Sequence, residues 1–320
     1  MKNHRLDESR QSLWIGITDN EWFNIVSHIP GIDEVNFWQP GGGSRAFRSL
    51  QPGEPFLFKL HSPLNFIVGG GYFAHWTRLP ISLAWEAFGE KNGANSFEEM
   101  RNLIVSHRGA DKDRLEDFHI GCILLEQPFF FDRSEWIPVP SDWKAGIRQG
   151  KHYDLQTEPG ISLWEQVRAL LIGKPSYFSE TRIEDTARYG TPTLVKPRLG
   201  QGSFRILVTD AYGRACAITE EHTLPALEAA HIKPYGDSGP HAIYNGLLLR
   251  SDVHRLFDSG YITVTPDYCI EVSGRLREEY ENGRYYYPFH GQKLHHIPPN
   301  PTDHPAKRLL SWHNEKIFRG

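Results

Sequence analysis

Short runs of alternating apolar and polar residues dominate the first half of the chain. Leu57-Phe58-Lys59-Leu60 and Asn65-Phe66-Ile67-Val68-Gly69 each read as a strand bounded by turn residues. Gly41-Gly42-Gly43 and Gly69-Gly70-Gly71 read as breaks, or as places where another backbone comes close. Helical stretches follow at 82–88 and 96–106, and strands resume at 118–125 and 136–139. Several short strands at this spacing predict a small β-barrel.

The period changes further along. Leu163, Val167, Leu170 and Leu171 recur at helical spacing and predict a connecting helix. The stretch 172–195 is rich in Gly, Pro, Ser and Thr and reads as a linker. Phe204, Leu207 and Val208 share one face of a helix over 204–212. A hairpin over 226–249 comes next, then a helix carrying His254 and Phe257 with Ser251 as its N-cap. Leu247, Leu248, Leu249, Leu256, Phe257, Tyr261 and Ile262 are the candidate core of this part. From 291 the chain is Pro- and His-rich, and it closes on a short amphipathic stretch. The pattern as a whole predicts an α+β protein with a first domain at 1–150, a connecting helix and linker at 151–195, and a second domain at 196–320.

Composition refines this picture. The 320 residues are 39% hydrophobic and 12% aromatic, enough for two cores. No apolar run has the length of a membrane span and no leader opens the chain, so no membrane partner is expected. Cys122, Cys216 and Cys269 are far apart without a CxxC, which points to a reducing cytoplasm rather than a disulfide framework. The net charge is −4, but residues 186–320 carry +2 (16 Lys/Arg, 14 Asp/Glu) against −6 for 1–185 (19 and 25). Nine of the 16 histidines also lie in 186–320. Contact with a polyanion would therefore depend on local patches, not on a bulk field.

The candidate chemistry is concentrated in that second part. His231-Ile-Lys-Pro, Asn245-Gly-Leu-Leu-Leu and Asp252-Val-His254-Arg-Leu-Phe-Asp258 follow one another, with the His, Asn and His 14 and 9 residues apart. A hairpin running into a helix would gather them on one small surface. Cutting a phosphodiester needs a base to activate water, a cation to take up charge, and a brace for the base. His231 on the strand is the candidate base, Asn245 the brace and His254 the metal ligand. Asp258, one helical turn after His254, would orient its ring.

These motifs, with the lead-in Arg198-x-Gly-Gln-x-x-Phe-Arg205 and Ala211-Tyr-x-x-x-Cys-Ala-Ile-Thr219, resemble the restriction-associated branch of the HNH endonucleases over about 198–273. The resemblance implies a ββα-metal fold and a divalent cation, Mg²⁺ or Mn²⁺ or another transition ion. Many relatives place a metal-binding Asp or His just before the base, where this chain has Ala230; Asp252 or Glu228 would then supply the second ligand. Many also carry a structural zinc on two CxxC pairs. Here those places read Cys216 with Thr219 and Arg250 with Val253, so no structural zinc is expected. Arg198, Gln201 and Arg205 are candidates for contact with phosphate.

In the first domain, Leu50-Gln-Pro-Gly-Glu-Pro-Phe-Leu-Phe-Lys-Leu and Asn65-Phe-Ile-Val-Gly-Gly-Gly-Tyr-Phe resemble the PUA-like superfamily, with its EVE and ASCH branches, over about 14–145. That resemblance implies a barrel that accommodates a modified base flipped from a duplex. Trp38, set in a polar, glycine-rich stretch, Tyr72 and Trp76 are the candidate pocket residues, with Arg45, Arg48 and His61 on phosphates. Joined to an HNH unit, it implies a host-defence endonuclease for double-stranded DNA carrying 5-methyl- or 5-hydroxymethylcytosine. One such site nicks one strand, so a homodimer would serve double-strand cutting. A sequence-specific HNH restriction enzyme reading unmodified DNA, and a non-cutting reader of modified bases, are the alternatives.

Overall fold

The computed structural model describes residues 11–41, 46–108, 117–172 and 199–320. They form two compact units that divide at Arg198 and Leu199. Arg45, Arg198 and nearly all of the expected linker lie outside the described residues.

The first unit is built on one mixed sheet. Its strands are β1 (Ser12–Thr18), β2 (Glu34–Gln39), β3 (Pro55–Leu60), β4 (Phe66–Pro80), β5 (His119–Phe130), β6 (Ile137–Pro138) and β7 (Gly150–Asp154). The order is β2-β5-β4-β3-β1-β7, with β6 paired to the start of β4. Only β1 and β3 run parallel. All six residues of β3 are buried because both faces of the sheet are covered. Phe56 and Phe58 pack with Trp22, Phe23 and Phe73 on one side, while Leu57 packs with Leu13, Ile15 and Phe129 on the other. The helices read from the sequence at 82–88 and 96–106 are α2 (Ile81–Phe88) and α3 (Phe97–Arg108), after a short α1 (Asn20–Val26). Gly69, Gly70 and Gly71 do not interrupt a strand; they lie inside β4, opposite Phe58, Leu57 and Phe56.

The expected closed barrel is not formed among the described residues. Closure would require β2 to pair with β7. Instead α2 and the turn at 89–92 pack beside β2, and the helix α4 (Gly160–Ile172) packs beside β7. Strand β7 and helix α4, placed by the sequence in the connecting segment, complete this unit: Tyr153, Leu163, Val167 and Leu171 are buried with Leu13 and Ile15. Trp38 is likewise not on a loop. It is a residue of β2, opposite Cys122 of β5.

The second unit contains α5 (Gln201–Ala211), β8 (Leu227–His231), β9 (Gly246–Arg250), α6 (Ser251–Asp258), β10 (Ile262–Val264), β11 (Ile270–Val272), α7 (Arg275–Tyr280) and α8 (Lys307–Lys316). Strands β8 and β9 form the antiparallel hairpin, in register from Leu227 opposite Arg250 to His231 opposite Gly246. Phe204 and Val208 of α5, Leu247–Leu249, Phe257 and Ile262 share one core, and Leu256 packs at its border. Arg250, not Ser251, occupies the N-cap of α6. The Cys216 sulfur accepts the backbone N–H groups of Thr219 at 3.3 Å and Arg250 at 3.2 Å, and Val253 is fully buried. Among the described residues, no helix of either unit is long and apolar enough to cross a membrane.

His313 of α8 is buried in this core and stacks on Phe257 at 3.8 Å. Its Nε2 donates to Phe257 O at 3.2 Å, and its Nδ1 lies 2.8 Å from Thr263 Oγ1. Burial lowers its pKa to about 4. Between that value and the ordinary one, about 6.5, the unfolded chain binds a proton that the folded chain does not. Stability therefore rises with pH across this window. Urea unfolding of the native chain at pH 7 is expected to give about 2 kcal/mol more stability than at pH 5 from this residue. A His313→Gln chain should lack that increment.

Candidate active site

Strand β8 ends at His231, and the strand opposite begins there with Gly246. A Cβ on Gly246 would stand 2.5 Å from Val208 Cγ2 and 3.1 Å from Phe204 Cζ, so the missing side chain leaves α5 room to approach. Phe204 uses that room to stack on the His231 ring at 3.8 Å with an 11° tilt. The edge of a second imidazole, His241, lies 5.1 Å away. Burial, then the positive fields of His241 and His254, lower the His231 pKa to about 4, against a smaller opposing effect of Asp258. The ring is neutral at physiological pH and can accept a proton. Its Nε2 is buried and has no hydrogen-bond partner among the described residues.

Asn245 is fully buried, and its amide is spent on the loop between the strands. Its Nδ2 donates to Lys233 O and Pro240 O, each at 2.9 Å, and its Oδ1 accepts from Lys233 N at 2.9 Å. Its own carbonyl accepts from Ile232 N at 2.9 Å. The residue thus ties both ends of the loop to the segment directly after His231.

His254 sits one turn into α6 and is flanked by two carboxylates. Glu228 Oε2 of β8 is 2.6 Å from Nδ1, and Asp258 Oδ2 of α6 is 3.3 Å from Nε2. Burial works to lower the His254 pKa, but the hydrogen bonds to Asp258 and Glu228 outweigh it and hold the pKa above its ordinary value. Asp252 is turned elsewhere. Arg250 grips both its oxygens, at 2.6 and 2.7 Å, and Tyr286 OH donates to it at 2.9 Å. Arg250, then Tyr286, hold its pKa down, and the carboxylate is committed to the start of the helix. Asp252, expected as a metal ligand, thus has both oxygens engaged by Arg250. Gln201 and Arg205 lie on the first turns of α5, the helix that carries Phe204.

Among the described residues no group of three or more His, Cys, Asp or Glu side chains is arranged for a metal ion. The donor chemistry at His254 still fits a hard or borderline divalent cation, with an imidazole and a carboxylate at each ring nitrogen. Nε2 of His254 and Oδ2 of Asp258, 3.3 Å apart, are the pair that would hold such a cation.

The candidates in the first unit are not brought together. Trp38 and Trp76 border the cluster around Phe56 and Phe58, whereas Tyr72 borders the one around Leu57 and Phe129. The three rings therefore do not line one slot. Trp38 Nε1 donates to Asn92 O at 2.9 Å, and Trp76 Nε1 to Gln39 Oε1 at 3.1 Å. His61 pairs with Asp19 at 3.3 Å, and the other oxygen of Asp19 meets His107 at 3.1 Å. Arg48 is exposed.

Three participants escape a sequence reading. Phe204 reads only as a core residue of its helix. His241 lies in a loop with no periodic signal, and Arg250 occupies a place that relatives give to a zinc ligand.

A hairpin that feeds a helix, with histidines on the strand end and on the helix, is the unit of the ββα nucleases. Residues 216–265, which contain β8, β9, α6 and β10, match the HNH endonuclease family. The second unit thus carries an HNH endonuclease domain, and the chain is an endonuclease that hydrolyses phosphodiester bonds in DNA. Nucleases of this family generally depend on a divalent metal. No curated protein matches the chain at a significant level.

Replacing Asn245 by Ala removes three hydrogen bonds and takes from Lys233 N and Lys233 O their Asn245 partner, while Pro240 O keeps the bond from Ala242 N. An Asn245→Ala chain is expected to lose about 2–3 kcal/mol of stability in denaturant unfolding.

Proposed function

We propose that the second unit cuts DNA by metal-assisted hydrolysis, with His231 as the general base and His254 as the principal metal ligand. The observation that carries this is the placement of the two imidazoles, His231 at the strand end stacked on Phe204 at 3.8 Å with Nε2 unpartnered among the described residues, and His254 between Glu228 at 2.6 Å and Asp258 at 3.3 Å. His231 takes a proton from the attacking water, and its stack on Phe204 fixes the plane of the ring. Asn245 holds the loop that follows the base. His254 Nε2 and Asp258 hold the cation, and Glu228 orients the ring from Nδ1. A bound divalent cation supplies charge neutralisation at the phosphate and the leaving oxygen.

This assignment exchanges the roles expected from the sequence for Glu228 and Asp258, and two substitutions separate them. Asp258→Asn should raise the Mg²⁺ or Mn²⁺ concentration needed for half-maximal cutting by about tenfold or more, while Glu228→Gln should act mainly on kcat. The reverse pattern would return Glu228 to the cation.

The pH dependence has a defined sign. His254 must lose its proton to bind a cation, and its pKa is raised, so at low metal concentration the acid limb of cutting lies above pH 6.5. Raising the metal concentration should move that limb down. A limb from His231, at about 4, should stay in place.

The finer reading concerns the target. We infer that the first unit directs cutting to double-stranded DNA carrying modified cytosine, in host defence, with two copies of the chain serving the two strands. Its support is the PUA/EVE-like sequence of 14–145 and the half-buried Trp38 and Trp76 beside one cluster. One plasmid prepared unmodified, with 5-methylcytosine and with 5-hydroxymethylcytosine tests it, incubated with Mg²⁺ or Mn²⁺ and with His231→Ala as control. Cutting of the modified plasmids alone, lost in the control, is expected. Equal cutting of all three would instead assign a nuclease blind to the modification.

A further inference from the structure

The loop between β8 and β9 presents an aromatic residue that neither the core nor the reaction uses. Tyr235 is 66% exposed, yet it is not loose. Its ring lies 4.6 Å from His241, at 62°. His241 in turn meets His231, and His231 stacks on Phe204. Four rings therefore run in contact from the solvent to the base and the helix behind it.

The backbone under Tyr235 is pinned as well. Gly239 N donates to Pro234 O at 3.0 Å, and Ser238 N to Tyr235 O at 2.9 Å. This tight return requires glycine, since a Cβ at 239 would stand 1.9 Å from Lys233 O. Asn245 holds the carbonyls of Lys233 and Pro240 on either side. Lys233, two residues before Tyr235, has its ammonium fixed 5.3 Å from the centre of the Trp312 ring. A rigid aromatic face and a positioned cation thus stand side by side in the chain, directly after the base.

The pair of groups matches the chemistry of one nucleotide, a flat π surface linked to an anionic phosphate. Every nucleobase can stack on an aromatic ring whatever its identity, and such a stack changes affinity about 5- to 150-fold. A base inside a regular duplex already has both faces covered and offers none. We propose that Tyr235 is a stacking platform for a nucleobase next to the scissile phosphate, so that the second unit engages DNA locally unstacked at the cut. This rests on the reading of His231 as the base.

The test uses the full chain and an oligonucleotide duplex spanning a cut mapped on plasmid DNA, either intact or with an abasic nucleotide beside the cut. On the intact duplex, Tyr235→Ala should raise KM about tenfold with kcat within about threefold of native. Tyr235→Phe and Tyr235→Trp should keep KM near native. On the abasic duplex, the native and Tyr235→Ala chains should have the same KM, because the ring has lost its partner. An equal loss on both substrates, or Phe and Trp variants as weak as Ala, would overturn the platform. Full cutting by His231→Ala would instead overturn the assignment of the base, and the comparison of intact and abasic DNA distinguishes the two failures.

Discussion

The amide of Asn245 closes a loop whose two ends must stay together if His231 is to keep its place at the strand end. A strand end is ordinarily free to fray, and the residues after it contribute little restraint. Here Ile232 N and Lys233 N, the first two donors beyond the base, are both held by Asn245, one by its carbonyl and one by its side chain. The same amide reaches Pro240, across the loop. Because the residue is fully buried, none of these bonds competes with water. The Phe204 stack, the approach of His241 and the exposed face of Tyr235 all depend on this closure.

Around that frame the two histidines are separated by their surroundings rather than by their chemistry. His231 lies in an apolar setting against Phe204, with positive neighbours and no partner for Nε2, and so resists protonation. His254 has a carboxylate at each nitrogen and favours it. A pair of titratable groups driven apart in this way marks an acid–base site more securely than either group alone. In the second unit Arg250 adds a separate device. Its bidentate hold on Asp252 joins the helix start to the end of β9, and its own backbone N–H ties that junction to the Cys216 sulfur in the turn after α5.

What the sequence makes legible follows the range of the interactions. His231, Asn245 and His254 lie within one local hairpin and helix, and their spacing alone brings them together. The contact of Asp258 with His254 is legible in the same way, because a residue four positions on lies on the same helical face. Glu228 was reached from strand alternation, although Ala230 beside it is buried in the core. The first unit was harder because its order, β2-β5-β4-β3-β1-β7, is set by distant pairings. The strands themselves could be read, but not whether the sheet closes. Trp38 was misplaced because Gly41-Gly42-Gly43 dominates its neighbourhood, whereas the pairing with Cys122 that fixes it is 84 positions away. No local pattern announces His241, since a histidine in a loop has no period.

The position of β1 between β3 and β7 also bears on how the chain comes off the ribosome. β1 is the earliest strand made, yet one of its neighbours, Gly150–Asp154, emerges only after every other strand of that sheet. Until then Leu13 and Ile15 lack part of their cover, and one side of β1 is an open edge able to pair with another nascent chain. A polypeptide halted before Asp154 would keep that edge indefinitely. The nuclease hairpin and its helix are local in sequence, yet their core also draws on Leu309, Leu310 and His313 of α8, so the second unit too is complete only once that helix has been made.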